Sequence, residues 1–228
     1  MDNIKHVFFD LDHTLWDFDK NAKLSFEQIF KEQKIAVALD DFLEVYTPIN
    51  FEYWKLYREE KVNKATLRYR RLKDTFDALS YTINDDLINV LSEDFIKFLP
   101  NYNHLIEGTI DVLDYLSEKY QLHIITNGFK EVQNLKLEKS NIKKYFKTVI
   151  TSESVGVKKP NPKIFEYALA QAKAQPQDCI MIGDNIEADI LGAFNAGILP
   201  IHLELNKKGN TKNAFAQINA LKELKQYL

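Results

Sequence analysis

Ile4-Lys5-His6-Val7-Phe8-Phe9-Asp10-Leu11-Asp12-His13-Thr14-Leu15 is the stretch on which the fold turns. Its apolar part, Ile4–Phe9, is too short for a helix and is rich in β-branched and aromatic residues. It is apolar without regular alternation, which suits a strand covered on both faces of its sheet. The run ends on two carboxylates two residues apart. Where a strand leaves its sheet, Asp10 and Asp12 can face the same side of one cavity. An isolated Asp-x-Asp is equally an ordinary acidic turn, so the rest of the chain has to decide between the two.

Working outward, four more short runs have the same character: Leu122–Ile125, Thr148–Ile150, Cys179–Ile182 and Ile198–His202. Helix-like stretches lie between them. Thr109–Lys119 sets Ile110, Leu113 and Leu116 on one face. Pro162–Lys173 has Asn161 as its cap and Pro162 at the first helical position, where a missing N–H is harmless. Glu187–Ala196 is followed by Gly197, a left-handed C-cap. Alternating strands and helices joined by short loops predict an α/β fold, a doubly wound parallel sheet with right-handed crossovers. A short strand at Ala214–Ile218 and a last helix at Leu221–Leu228 would close the chain.

Residues 16–100 interrupt this rhythm with no strand-like run. They offer amphipathic stretches at Lys20–Lys34, Asn50–Lys61, Lys64–Leu79 and Asn84–Leu99. In the last, an Asn cap precedes Asp85 and Asp86, acids that suit the positive end of a helix dipole. The predicted organisation is a catalytic-type core from 1–15 and 101–228, with an all-helical cap domain, 16–100, inserted after the first strand.

Three further motifs follow strand-like runs, on the rim where open parallel sheets bind ligands. Thr126-Asn127-Gly128 offers a hydroxyl and N–H groups ahead of a helix, a cradle for phosphate. Lys158-Lys159-Pro160 places a cation that could offset the charge of a phosphate and of a carboxylate. Gly183-Asp184 is followed one turn later by Asp189. Each alone is common in turns and loops. Their order, each after a predicted strand and with the insert behind the first, is what makes coincidence a poor explanation.

Taken together, Asp10-x-Asp12, Thr126, Lys159 and Gly183-Asp184-x-x-x-x-Asp189 resemble the ordered motifs of the haloacid dehalogenase superfamily, over essentially the whole chain. The resemblance implies a Rossmann-like core, a helical type-1 cap, a hairpin near residues 13–18 and a Mg²⁺ ion. It implies Asp10 as nucleophile, Asp12 as general acid and then base, and Thr126, Asn127 and Lys159 as phosphate-binding groups. Asp10, the Asp12 backbone carbonyl and Asp184 would hold the metal, with Asp189 behind them or acting through water. His13 departs from the Gly usual at its position. Several carboxylates around one cavity would repel a phosphate unless a hard cation joined them. Crowding by those acids would raise the pKa of Asp12.

Within the insert, Trp16-Asp17-Phe18, Asn50-x-x-x-Trp54-x-x-Tyr57 and Leu67-x-x-x-Arg71-x-x-x-Thr75-Phe76 resemble the pyrimidine 5′-nucleotidase subgroup. Trp16, Asn50, Trp54 and Tyr57 are therefore candidate substrate contacts, while most of the insert's aromatics are expected to be core. Of the adjacent Arg70 and Arg71, only one can face inward. The expected substrate is a small phosphate ester, a nucleotide or, as the alternative, phosphoglycolate or a sugar phosphate. A phosphomutase stays open; a dehalogenase is weakened by Asp12, since a halide leaves without an acid. A phospho-Asp signalling receiver is far smaller and has no such insert, and no Gly-x-Gly-x-x-Gly marks a nicotinamide-binding module.

Thirty basic and thirty-three acidic residues give a formal charge of −3, which does not point to a nucleic-acid polymer as partner. The single cysteine, Cys179, reads as a buried inert thiol. The first apolar run is too short for a signal peptide, and no stretch approaches the ~20 apolar residues of a spanning helix. The expectation is a cytoplasmic protein with no membrane partner.

Overall fold

The structure, a computed structural model, describes residues 3–205 and 211–228. In chain order these form β1 (His6–Phe9), α1 (Phe18–Glu32), α2 (Leu39–Arg58), α3 (Lys64–Ala78), α4 (Asp85–Phe98), α5 (Thr109–Ser117), β2 (Gln121–Thr126) and α6 (Lys130–Lys139). There follow β3 (Phe146–Thr151), α7 (Ser152–Val155), α8 (Pro162–Ala172), β4 (Cys179–Gly183), a π-helical stretch (Ile186–Leu191), α9 (Gly192–Asn195), β5 (Leu199–Leu203) and β6 (Ala216–Ile218). The chain up to Phe18 together with Asn103–Leu228 makes one compact unit, and Asp19–Tyr102 makes a second. No helix among the described residues is long and apolar enough to cross a membrane.

The first unit is built on a six-stranded sheet in the order β3-β2-β1-β4-β5-β6, and every pairing is parallel. All four residues of β1 are buried, as its unbroken run predicts. Phe9 sits beside Ile124 of β2 on one side and Ile182 of β4 on the other. β1 is thus where the chain changes direction across the sheet, and a crevice opens beyond the strand ends at such a point. One face is filled by Phe8, Ile125, Ile150, Ile164, Phe165, Cys179 and Met181. Burial pushes the Cys179 thiol up to about 12, which keeps it protonated and inert.

Two elements differ from the sequence reading. Helix α2 begins at Leu39, well before the expected Asn50, and carries Pro48 inside it. A proline that removes one helical hydrogen bond masks the helix in the sequence, yet the buried Phe42, Tyr46, Asn50 and Tyr57 carry the helical face through it. The expected single helix at Glu187–Ala196 is a π-helical stretch running into α9, and Ile190 N–H donates to the Asn185 carbonyl at 3.3 Å, five residues back. Such widened turns recur at functional sites. Gly197 has φ 75°, the expected left-handed cap.

The helical unit has an aromatic core. Phe26 stacks on Phe95 with centroids 4.4 Å apart, and Phe42 on Tyr46 at 5.4 Å. Phe26, Phe42, Phe76 and Phe95 are fully buried, so these rings supply packing through large apolar areas. Asn63 and Asn84 cap α3 and α4 by accepting from Thr66 N–H and Leu87 N–H.

A polar chain crosses the sheet beneath its rim. His6 Nδ1 lies 3.1 Å from His123 Nε2, and His123 Nδ1 lies 2.8 Å from Thr148 Oγ1. Burial, aided by the neighbouring His6, holds His123 down at about 4, against 6.5 for a free imidazole. The unfolded chain therefore takes up the proton first. The stability that neutral His123 contributes is complete above the unfolded value of 6.5 and is lost as pH falls from there through about 4. Between roughly pH 7.5 and pH 5.5 this residue is expected to remove about 1 kcal/mol of unfolding free energy in urea titrations. His123→Gln should flatten that part of the slope, and an unaltered slope in the variant contradicts the assignment.

Candidate active site

Four segments bring their polar residues to the carboxyl ends of β1, β2 and β4. Asp10 follows β1 directly, and its N–H is held by the Ile182 carbonyl at 2.9 Å. The carboxylate, almost fully buried, accepts from Lys159 Nζ at 2.6 Å. Lys159 is buried too; its ammonium also donates to the Ile125 carbonyl at 2.6 Å and pairs with Asp189 at 2.7 Å. The ammonium is thus fixed between two carboxylates and a strand-end carbonyl. Asn127 braces it from outside: its amide donates to the Lys159 carbonyl at 3.0 Å, and its oxygen accepts the Lys159 N–H at 2.8 Å.

Asp184 follows Gly183, the last residue of β4, and accepts from Thr14 Oγ1 at 3.2 Å. Its backbone carbonyl faces His202 Nε2 at 2.9 Å, and His202 Nδ1 lies 2.6 Å from Thr211 Oγ1. A carbonyl only accepts, so His202 carries its proton on Nε2 and takes the Thr211 hydroxyl on Nδ1. The π-helical stretch lets Asp189 reach back, where its second oxygen accepts the Asn185 N–H at 3.0 Å. A Cβ on Gly183 would lie 2.3 Å from that carboxylate, so only glycine admits this approach.

One carboxylate oxygen each from Asp10, Asp184 and Asp189 lies within 4.8 Å of the others. Lys159 pairs with two of these three carboxylates, Asp10 and Asp189. Burial pushes Asp10 up to about 8, with Lys159 opposing and Asp189 and Asp184 reinforcing the rise. Burial, then the charge of Asp189, pushes Asp184 up to about 7. Burial works against Lys159, but the two aspartates outweigh it and hold it at about 12. The excess negative charge and the all-oxygen donor set fit a hard divalent cation, which takes carboxylates together with carbonyls and water.

Asp12 is not a member of this acidic cluster, contrary to the crowding read from the sequence. One of its oxygens accepts from Lys136 Nζ at 2.5 Å and the other from Gln133 Nε2 at 2.9 Å. The same Gln133 amide donates to Thr126 Oγ1 at 2.7 Å, and Gly128 N–H donates there at 3.1 Å. A Cβ on Gly128 would stand 2.4 Å from Gln133 Cδ and Nε2, which explains the glycine after Thr126-Asn127. Gln133 and Lys136 escaped the sequence reading because α6 looks like a solvated helix, Lys-Glu-Val-Gln-Asn-Leu-Lys. The available signal was their three-residue spacing beside the apolar Val132 and Leu137.

Trp16 belongs to the sheet unit and is fully buried, with Lys136 Nζ 4.2 Å from its ring centroid. Its indole N–H has no acceptor among the described residues. The other three candidate contacts lie in the helical unit. Asn50 is buried, its oxygen accepting from Tyr46 OH at 3.2 Å and Arg71 Nη1 at 3.1 Å. Trp54 meets Tyr57 edge-on at 5.7 Å. Of the two adjacent arginines, Arg71 is buried over Phe95 and Arg70 pairs with Asp74 at 3.0 Å. His13 has φ 63°, the left-handed region that glycine adopts without strain, so the histidine takes the backbone conformation that the Gly expected there would adopt.

A family model described as haloacid dehalogenase-like hydrolase matches residues 4–197. The chain is 31% identical over 225 residues to the pyrimidine 5′-nucleotidase YjjG of Escherichia coli (strain K12), covering 97% of this chain and 96% of that protein. It is 32% identical over 207 residues to the pyrimidine 5′-nucleotidase PynA of Streptococcus pneumoniae (strain ATCC BAA-255 / R6), covering 88% and 86%. Among solved structures it superposes on the HAD-hydrolase YfnB of Bacillus subtilis bound to magnesium, with a TM-score of 0.90, 26% identity and 99% and 98% of the two chains covered.

The Lys159 pairing sets a stability prediction. Lys159→Met leaves buried carboxylates without their cation and is expected to lower the unfolding free energy by about 3 kcal/mol near neutral pH. The loss should shrink in acid, because the stranded carboxyls take up protons in the folded state. Urea titrations at two pH values measure this, and a variant as stable as the wild type at both contradicts the pairing.

Proposed function

The chain belongs to the haloacid dehalogenase-like hydrolases, and from that premise we propose that it is a Mg²⁺-dependent phosphomonoesterase working through an aspartyl-phosphate on Asp10, with pyrimidine nucleoside 5′-monophosphates as substrates. The observation that carries the chemistry is the buried Asp10–Lys159 pair set among Asp184 and Asp189. The pyrimidine specificity rests on the names of two relatives that match across most of the chain. The unit Asp19–Tyr102 is proposed as the cap that selects the leaving group, with Trp16, Asn50, Trp54 and Tyr57 as candidate contributors.

Asp10, Asp184 and the backbone carbonyl of Asp12 would hold the ion, with Asp189, whose oxygens are already engaged by Lys159 and Asn185, acting from behind. Once bound, Mg²⁺ supplies positive charge to the phosphoryl oxygens and screens the carboxylates from the substrate dianion. Lys159 holds Asp10 Oδ1, leaving Oδ2 to attack phosphorus. As that bond forms, the ester P–O bond breaks toward the leaving oxygen, and Asp12, entering this step as the carboxylic acid, gives that oxygen its proton and is left as the carboxylate. Water then attacks the same phosphorus while Asp12 takes its proton. The Asp10–phosphorus bond breaks back to the carboxylate and inorganic phosphate departs. Thr126 Oγ1 already accepts from Gly128 and Gln133, so its own proton is free for a phosphoryl oxygen.

Phosphate release with Mg²⁺ from dUMP, dTMP, purine nucleotides, sugar phosphates and phosphoglycolate tests the reading. The expected result is preference for the pyrimidine nucleotides, and no release from any nucleotide would remove that specificity while sparing the phosphatase chemistry. Asp10→Asn should abolish turnover, a loss on the order of a thousandfold or more, with the circular dichroism of the folded wild type. Wild-type turnover by that variant would overturn the assignment of the nucleophile.

A further inference from the structure

Lys136 is a buried cation that the chemistry above does not use. It is 2% exposed, and its Nζ lies 2.5 Å from Asp12 Oδ1, 4.2 Å from the Trp16 ring centroid and 5.4 Å from that of Phe18. Gln133, one turn earlier on α6 and fully buried, takes the other Asp12 oxygen. Taking an ammonium out of water costs several kcal/mol. Beneath two aromatic rings an apolar side chain would pack without that cost. The ion pair with Asp12 supplies a reason for a lysine at this position.

We propose that Lys136, together with Gln133, is a positioning residue for Asp12. The pair fixes the carboxyl group for proton transfer to the leaving alcohol and keeps it off the Asp10–Asp184–Asp189 cluster. The inference rests on the phosphatase reading and deepens it. Asp12 stands two residues beyond Asp10 in the loop after β1, and an aspartate side chain turns about Cα–Cβ unless partners hold it. Two donors from one rigid helical turn hold both oxygens at once, which fixes the plane of the carboxyl group. Because Gln133 also binds Thr126, the proton donor and the proposed phosphate-binding hydroxyl are tied to the same residue. The aromatic faces of Trp16 and Phe18 hold the ammonium in place by cation–π attraction.

A positioning role for proton transfer has a signature that a structural role lacks. It must matter most when the leaving alcohol is a poor one. The value of kcat/KM reports the step in which the alcohol departs, not the later hydrolysis of the phosphoenzyme. The test compares wild type with Lys136→Met on a nucleoside 5′-monophosphate, whose alkoxide needs a proton, and on p-nitrophenyl phosphate, whose phenolate leaves without one. The expected loss on the nucleotide is about 100-fold, the low end of what a general acid contributes, and about 30-fold smaller on the nitrophenyl ester. Lys136→Arg should restore part of the difference. If Lys136→Met does not fold, Gln133→Leu should skew the two substrates in the same direction. Equal losses on both esters would overturn the proposal while leaving the phosphatase reading intact. A wild-type protein that hydrolyses neither ester would remove that reading and the inference with it.

Discussion

The gathering of three aspartates beside one buried lysine is the constraint to which the rest of the first unit answers. Asp10, Asp184 and Asp189 cannot share so small a volume as free anions, and Lys159 offsets only part of their charge. The shortfall shows as carboxyls held at about 8 and about 7 by burial and mutual repulsion. A fold that keeps such an arrangement gives up stability, and its all-oxygen donor set fits a hard cation.

The architecture supplies what that site needs at each strand end. β1 lies between β2 and β4, so Asp10, Thr126 and Asp184 emerge side by side. Two glycines then admit side chains where a Cβ would collide: Gly183 for Asp189 and Gly128 for Gln133. The π-helical stretch after β4 turns Asp189 inward, and Asn127 fixes the backbone of Lys159 through both the nitrogen and the oxygen of its side-chain amide. Catalytic-type residues come from loops, but each loop is pinned by a strand on one side and a hydrogen bond on the other. Asp12 is treated separately, held by α6 away from the cluster.

Much of this was legible in the sequence because burial on both sheet faces writes itself as short apolar runs. Those runs found five strands, and the acids, threonine and lysine behind them fell where the strands end. What stayed hidden had physical reasons. Pro48 interrupts the pattern of α2 although tertiary packing carries the helix through it. The π-helical stretch depends on one extra residue per turn that periodicity cannot register. Gln133 and Lys136 sit in a helix whose composition reads as solvated, and long-range contacts, among them those with Asp12, Thr126 and Trp16, take them out of water. Most aromatics of residues 19–102 proved to be packing, as the composition of a small helical bundle suggests. Of the four candidate substrate contacts, Asn50 is tied to Tyr46 and Arg71 and Trp16 lies over Lys136.

The central claim is that Asp10 and Asp184 share one divalent cation. Calorimetric titration of the protein with Mg²⁺ measures this directly. The account predicts one ion per chain, binding that tightens from roughly pH 6 to roughly pH 8 as protons cease to compete for the same oxygens, and loss of that binding in Asp184→Asn. Absence of Mg²⁺ binding by the wild type, or undiminished binding by the variant, would contradict it.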